Sequence, residues 1–341
     1  MRAAVFHEFG DPSVVRIEEV PDPRPAAGEA LVEVHAAGLN HLDLWVRRGL
    51  PIETTMPHIG GAEVAGVVTE LGEGVREVAV GDRVVADPSL SCGECAACRA
   101  GEEPLCESYR ILGEHVQGGF AERVTVPARN LLKLPSGFPF DRAAASPLVF
   151  GTAWRGLMTR GRLREGASVL VTGASGGVAT VAIRIARWVG ARVFALTSTP
   201  HLERVRALGA DVVYDRTDAD WSRQLWRETG KRGVDVVFDS VGEAIWEDAV
   251  RSLAPGGRLV TYGATTGARA SMDIRRVFWR QLEILGTTMA SRREFAEVMG
   301  LVLTGALVPV IADVMPLERA REAHERLEAG DVFGKLILAP R

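Results

Sequence analysis

One segment constrains this chain more than any other: Ala167-Ser168-Val169-Leu170-Val171-Thr172 followed by Gly173-Ala174-Ser175-Gly176-Gly177. A short apolar run bounded by glycines reads as a buried strand, and the glycines predict a tight turn into a helix over 178–189. The rhythm then repeats, with a strand over 191–197, a helix through Leu208, a strand over 211–214 and apolar runs at 234–238, 257–262 and 282–286. Alternation of this kind predicts an α/β architecture, a doubly wound parallel sheet with helices on both faces.

The residues before it read differently. From Met1 to about Pro135 the pattern is short strands and turns, including strands at 31–36 and 65–70, punctuated by Pro21, Pro23, Gly72, Gly74 and Gly81. A β-rich domain is expected there. With 341 residues the chain exceeds one ordinary core. The expected division is a β-rich domain over 1–145 carrying a cysteine lobe at about 88–110, a dinucleotide-type domain over 146–286, and a tail over 287–341 that rejoins the first domain through a helix at 291–303 and a strand at 335–338. The composition, 47% hydrophobic and 25% charged, suits two packed cores. No apolar run reaches membrane-spanning length and the start lacks a secretory signal, so a cytoplasmic protein without a membrane partner is expected. A net charge of -4 with no basic run argues against nucleic acid and for a small-molecule substrate. Nearly all cations are Arg, with Lys only at Lys133, Lys231 and Lys335.

Gly173, Ser175, Gly176, Gly177 and Val178 lie between a strand and a helix, where missing Cβ atoms and unpaired helix N–H groups suit a pyrophosphate. A turn that serves only strand–helix packing is the simpler alternative. The second strand ends in Thr197-Ser198-Thr199-Pro200-His201 with no acid before Glu203. Thr197, Ser198, His201 and Arg204 therefore point to the 2′-phosphate of NADP(H) rather than to NAD(H), against the reading of an ordinary polar loop. Gly242, Gly263 and Ala264 follow later strands at their carboxyl ends, where open sheets bind ligands.

All four cysteines fall in Cys92-x2-Cys95-x2-Cys98-x7-Cys106. Four thiolates on a short loop predict one structural zinc with no open position for water or substrate, in preference to an iron–sulfur cluster or a redox pair.

In sequence order, the four-cysteine loop, Gly81-Asp82-Arg83-Val84, Gly118-Gly119-Phe120-Ala121-Glu122, the strand–glycine–helix unit and the terminal Gly334-Lys335-Leu336-Ile337-Leu338 resemble the medium-chain dehydrogenase/reductase superfamily over nearly the whole chain. The resemblance implies a GroES-like β-rich catalytic domain joined to a Rossmann coenzyme domain, and a homodimer or homotetramer. Zinc-type alcohol dehydrogenases of that family hold a catalytic zinc through a Cys, a His and a later Cys. The corresponding positions here are Asn40, Ala62 and Leu148, and Leu42 stands where a proton-relaying Ser or Thr is common. An amide beside two apolar side chains cannot grip zinc, although His41, Asp43 and Glu63 are nearby alternatives.

The expected function is therefore hydride transfer from a nicotinamide to a quinone, enone or enoyl compound without catalytic zinc, as in quinone oxidoreductases and their relatives. Asn40 is the expected hydrogen-bond donor to a developing enolate oxygen or, alternatively, only a partner of nearby backbone; Asp43, the other catalytic candidate, is expected to support the loop rather than to transfer a proton. Thr152 is expected to touch the nicotinamide by resemblance, or to cap a helix. Trp45, Trp154, Phe278 and Trp279 are candidates for an apolar pocket. The alternatives are an alcohol dehydrogenase with an altered metal site and a coenzyme-binding regulatory protein without turnover.

Overall fold

The computed structural model describes residues 1–340, which divide into two compact units, Met1–Val149 with the residues from Ala290 onward, and Phe150–Met289.

In the second unit six strands lie parallel in the spatial order Val212–Asp215, Arg192–Thr197, Ser168–Val171, Val234–Asp239, Leu253–Thr261 and Glu283–Gly286. The first strand in sequence sits in the middle, with its successor on one side and Val234–Asp239 on the other. The winding reverses there, leaving a crevice at the carboxyl ends of these two strands. Every residue of Val169–Val171 is buried, because the sheet is covered on both faces. The helix Gly177–Val189 lies against it through Ala179, Val181, Ala182, Ile183, Ile185 and Ala186. Each buried Val or Ile there contributes roughly 1.5–3 kcal/mol, and the alanines let the helix approach closely. Leu170, Phe194, Leu196, Trp221 and Leu259 belong to the core of this unit.

The first unit is built around the long strand Glu29–Leu39. It pairs antiparallel with Glu63–Leu71, with Arg123–Pro127 and with the closing strand Lys335–Ala339. Beyond these lie Arg83–Ala86 and Leu131–Lys133 on one side and Ile311–Pro316 on the other. Val32, Val34, Val64, Val68, Val124 and Leu338 pack beneath this sheet. The helix Arg292–Leu303 starts at Ser291, whose hydroxyl accepts the Glu294 N–H while the Glu294 carboxylate accepts the Ser291 N–H. No helix among the described residues is long and apolar enough to cross a membrane.

Candidate coenzyme loop, cysteine centre and buried ion-pair site

Thr172 follows the central strand, and the chain turns at Gly173 with a φ of +57°, a left-handed conformation that disfavours a side chain. A Cβ there would lie 3.2 Å from Ser240 Oγ. Gly176 stands at the N-cap of the thirteen-residue helix without any side-chain cap, so the first N–H groups of that helix have no partner from a cap side chain. Ser175, Gly177 and Val178 flank them. The loop is held from below by Asp239, which is fully buried at the end of its strand. Thr172 Oγ1 donates to it at 2.5 Å, and the Val241 and Gly242 N–H groups donate at 3.1 Å each. Burial raises the carboxyl pKa of Asp239 and these donors oppose the rise. Both loops at the crevice are thereby fixed to one carboxylate, a positioning role that the sequence did not reveal. Gly263 lies against Ser240, and Ala264 against Gly242, across the same rim.

Of the residues at the end of the second strand, Thr197 and His201 are buried, Ser198 is half-buried and Arg204 is exposed. The structure adds Asp215 to this group: it pairs with Thr197 across neighbouring parallel strands and accepts the Thr199 hydroxyl at 2.5 Å. Thr152 is buried inside the helix Pro147–Trp154, with its hydroxyl 3.9 Å from Met289 Sδ. It is not a helix cap: Pro147 begins the helix, as its fixed φ and missing N–H favour, five residues earlier. Phe278 and Trp279 are 64% and 82% exposed on a surface helix rather than lining an apolar cavity within their unit.

The four cysteine sulfurs all lie within 4.8 Å of one another. Cys98 and Cys106 are buried and Cys92 and Cys95 half-buried, all with free thiols. Backbone N–H groups of Glu94 and Cys95 point at Cys92 Sγ at 3.4 and 3.3 Å, and that of Cys92 at Cys106 Sγ at 3.4 Å. Such donors favour thiolates, and four thiolates at this spacing match the tetrahedral preference of zinc. Among the described residues this is the one group of three or more His, Cys, Asp or Glu side chains so placed.

Elsewhere in the first unit Asn40, Glu63 and Lys335 form a buried ionic cluster, with Lys335 2% exposed and Glu63 fully buried. Lys335 Nζ donates to Glu63 Oε2 at 2.5 Å, to Asn40 Oδ1 at 2.6 Å and to the Leu39 carbonyl at 2.7 Å. All three ammonium protons are used. Asn40 Nδ2 donates to Glu63 Oε2 at 3.1 Å and lies 3.4 Å from the Gly38 carbonyl. The other carboxylate oxygen, Glu63 Oε1, accepts the Leu148 and Val149 N–H groups at 2.8 and 3.3 Å. Gly38 permits the approach, since a Cβ there would lie 2.5 Å from Glu63 Oε2.

Asp43 caps the next helix, His41–Arg48, by accepting the Asn40 N–H at 2.7 Å, and holds the Gly61 N–H at 2.9 Å. Burial pushes its pKa up to about 6. His41 starts that helix at the surface. Ala62 is fully buried and Leu148 8% exposed, and as hydrocarbon side chains neither offers a ligand atom. The hidden Lys335–Glu63 pair has one signal in the sequence: a lysine, rare in this chain, set against an otherwise apolar closing strand.

Comparison with known proteins agrees with this architecture. Residues 26–136 match the alcohol dehydrogenase GroES-like domain, and residues 177–304 match the zinc-binding dehydrogenase domain. The chain is 32% identical over 327 residues to acryloyl-coenzyme A reductase of Sulfurisphaera tokodaii, covering 95% of this chain and 96% of that one. It is 35% identical over 353 residues to an NAD-dependent alcohol dehydrogenase of Sulfolobus acidocaldarius, covering 99% of each. A crystal structure of an NAD-dependent alcohol dehydrogenase superposes with a TM-score of 0.96 at 43% identity over the full length of both chains. With both family domains matched and the fold shared from end to end, the chain belongs to the medium-chain dehydrogenase/reductase superfamily.

Proposed function

We propose that this oxidoreductase transfers hydride between a nicotinamide coenzyme and an electron-poor carbon of a quinone or α,β-unsaturated carbonyl compound, with zinc confined to the cysteine loop. One observation carries the reading. At the three places where relatives of the alcohol dehydrogenase type hold a catalytic metal stand an amide engaged by Lys335 and Glu63, a buried methyl group and an isobutyl side chain. His41 and Asp43 do not restore the set, because both Asp43 oxygens already accept backbone N–H groups and His41 lies apart at the surface.

A reduced nicotinamide, when bound, supplies the hydride. The loop from Gly173 to Val178 offers helix N–H groups to its pyrophosphate, and Thr152, Gly242, Gly263 and Ala264 are the proposed further contacts. A conjugated carbonyl already carries an electrophilic carbon, so the protein's task is orientation and exclusion of water. Asn40, with its amide hydrogens turned to Glu63 and Gly38, acts as a positioning residue; donating to a developing enolate oxygen, the role its sequence position suggests, would require it to release them. Asp43 positions Asn40 and Gly61. Cys92, Cys95, Cys98 and Cys106 would hold the zinc as a loop staple. The name acryloyl-coenzyme A reductase on one relative supports an enoyl substrate; the name alcohol dehydrogenase on others supports the alternative of alcohol oxidation.

The parallel sheet ends on Glu283–Gly286, paired on one side only, beside the exposed side chains of Ile274, Phe278 and Trp279. This edge fits a second copy of the chain, in a homodimer or homotetramer, in a cytoplasmic setting that keeps the thiols reduced. The deciding experiment follows coenzyme absorbance with quinones, enones, enoyl thioesters and alcohols beside metal analysis. About one zinc per chain with turnover of conjugated acceptors is expected. About two zincs with chelator-sensitive alcohol oxidation, or coenzyme binding without turnover of any acceptor, would overturn the proposal.

A further inference from the structure

The second strand of a dinucleotide-binding sheet commonly ends in an acid that accepts hydrogen bonds from the adenosine ribose, and the sequence shows none there, which is why it points to NADP(H). The structure supplies one from the neighbouring strand. Asp215 ends Val212–Asp215 opposite Thr197, and Arg216 N–H bonds the Thr197 carbonyl at 2.7 Å, which locks the two strand ends together. The Asp215 carboxylate is clamped by the Thr199 hydroxyl on Oδ2 at 2.5 Å and by the Thr217 N–H and hydroxyl on Oδ1 at 2.9 and 2.8 Å. Three donors leave acceptor capacity on Oδ2, and the residue is only half-buried. The phosphate donors expected from the sequence are partly withdrawn, since Thr197 and His201 are buried.

We infer that Asp215, delivered to the rim of the second strand through Thr199, makes this coenzyme site select NAD(H) over NADP(H). The inference rests on the nicotinamide reading above. A fixed carboxylate can accept from a ribose 2′-hydroxyl, whereas a 2′-phosphate in the same place meets a like charge. At a separation of about 6 Å in water-like surroundings, repulsion between this carboxylate and a doubly charged 2′-phosphate is worth roughly tenfold in affinity. The same hydrogen bonds hold the Asp215 pKa below the ordinary carboxylate range, so the charge persists at neutral pH. Arg216 and Arg204, both exposed nearby, are the cations that would oppose this selection.

The test is calorimetric titration of the purified full chain with NADH and with NADPH, separate from any turnover assay. Tighter binding of NADH by about tenfold or more is expected, with Asp215→Asn reducing that ratio by about tenfold. Thr199→Val, which removes the clamp and keeps the charge, should reduce the ratio less. Binding of NADPH as tight as that of NADH by the wild-type chain overturns the inference whether or not the variants fold. An unchanged ratio in a folded Asp215→Asn protein also overturns it. Failure of both coenzymes to bind removes the nicotinamide reading itself, a result distinct from binding with the opposite preference.

Discussion

Replacing Lys335 by Met removes the one cation that, among the described residues, is bonded to the buried Glu63 carboxylate, while keeping much of the side-chain volume. The carboxylate keeps the Leu148 and Val149 N–H groups and the Asn40 amide but loses its counter-charge, and Asn40 Oδ1 loses its donor. Breaking a buried pair from one side costs about 3–5 kcal/mol, because the remaining charge stays desolvated. For a folding unit of 150–250 residues each kcal/mol moves the midpoint by about 2–4 °C, so a fall of roughly 6–20 °C is expected for the first unit. Differential scanning calorimetry on Lys335→Met, Glu63→Gln and the double variant measures it. The double variant should be less destabilised than the sum of the singles by about 2 kcal/mol or more, as expected for groups in contact. A Lys335→Met protein within about 1 kcal/mol of wild type, or additive singles, would show that the pair does not hold this unit together.

Asp43 gives a pH signature. Its folded pKa of about 6 lies above the ordinary value of 3.8, so the folded state binds the proton more tightly, and this contribution to stability is present at low pH and lost as pH rises between those values. The stability of wild type relative to Asp43→Asn should therefore fall by roughly 2–2.5 kcal/mol from pH 4 to pH 7, read by urea denaturation at each pH; a pH-independent difference contradicts the buried-acid reading. Substituting Cys98 by Ser should lower the zinc content from about one per chain towards zero by elemental analysis, and undiminished zinc would place the metal elsewhere. Gly173→Ala should cost about 1–2 kcal/mol in unfolding free energy, because an L side chain is strained at positive φ, and a neutral effect would mean the turn adapts.

What was readable from the sequence follows from locality. The strand–glycine–helix unit declares itself because an apolar run, a turn and a helix start are neighbours in the chain, and the clustering of Cys92, Cys95, Cys98 and Cys106 follows from their spacing. The helix after Pro147 is legible in principle too, since proline marks a first turn, and that start rules out the helix cap offered as the alternative role of Thr152. The contributions of Lys335, Asp239 and Asp215 were not legible, because each acts on a partner brought alongside by sheet pairing. Asp215 lies sixteen positions from Thr199 in sequence and one strand away in space. Glu63 looked like a spare metal ligand, and only the packing shows both of its oxygens occupied.

The closing strand also has a consequence for synthesis. Lys335–Ala339 and Ile311–Pro316 extend a sheet whose centre, Glu29–Leu39, leaves the ribosome some three hundred residues earlier, and Asn40 waits 295 positions for its lysine. Phe150–Met289, being continuous, can condense as soon as it emerges. The amino-terminal half must keep an open sheet edge, with the Glu63 carboxylate uncompensated, until Lys335–Ala339 arrives. A nascent chain truncated before Lys335 should thus carry a finished parallel sheet beside an unsealed neighbour, open to chaperones and proteases.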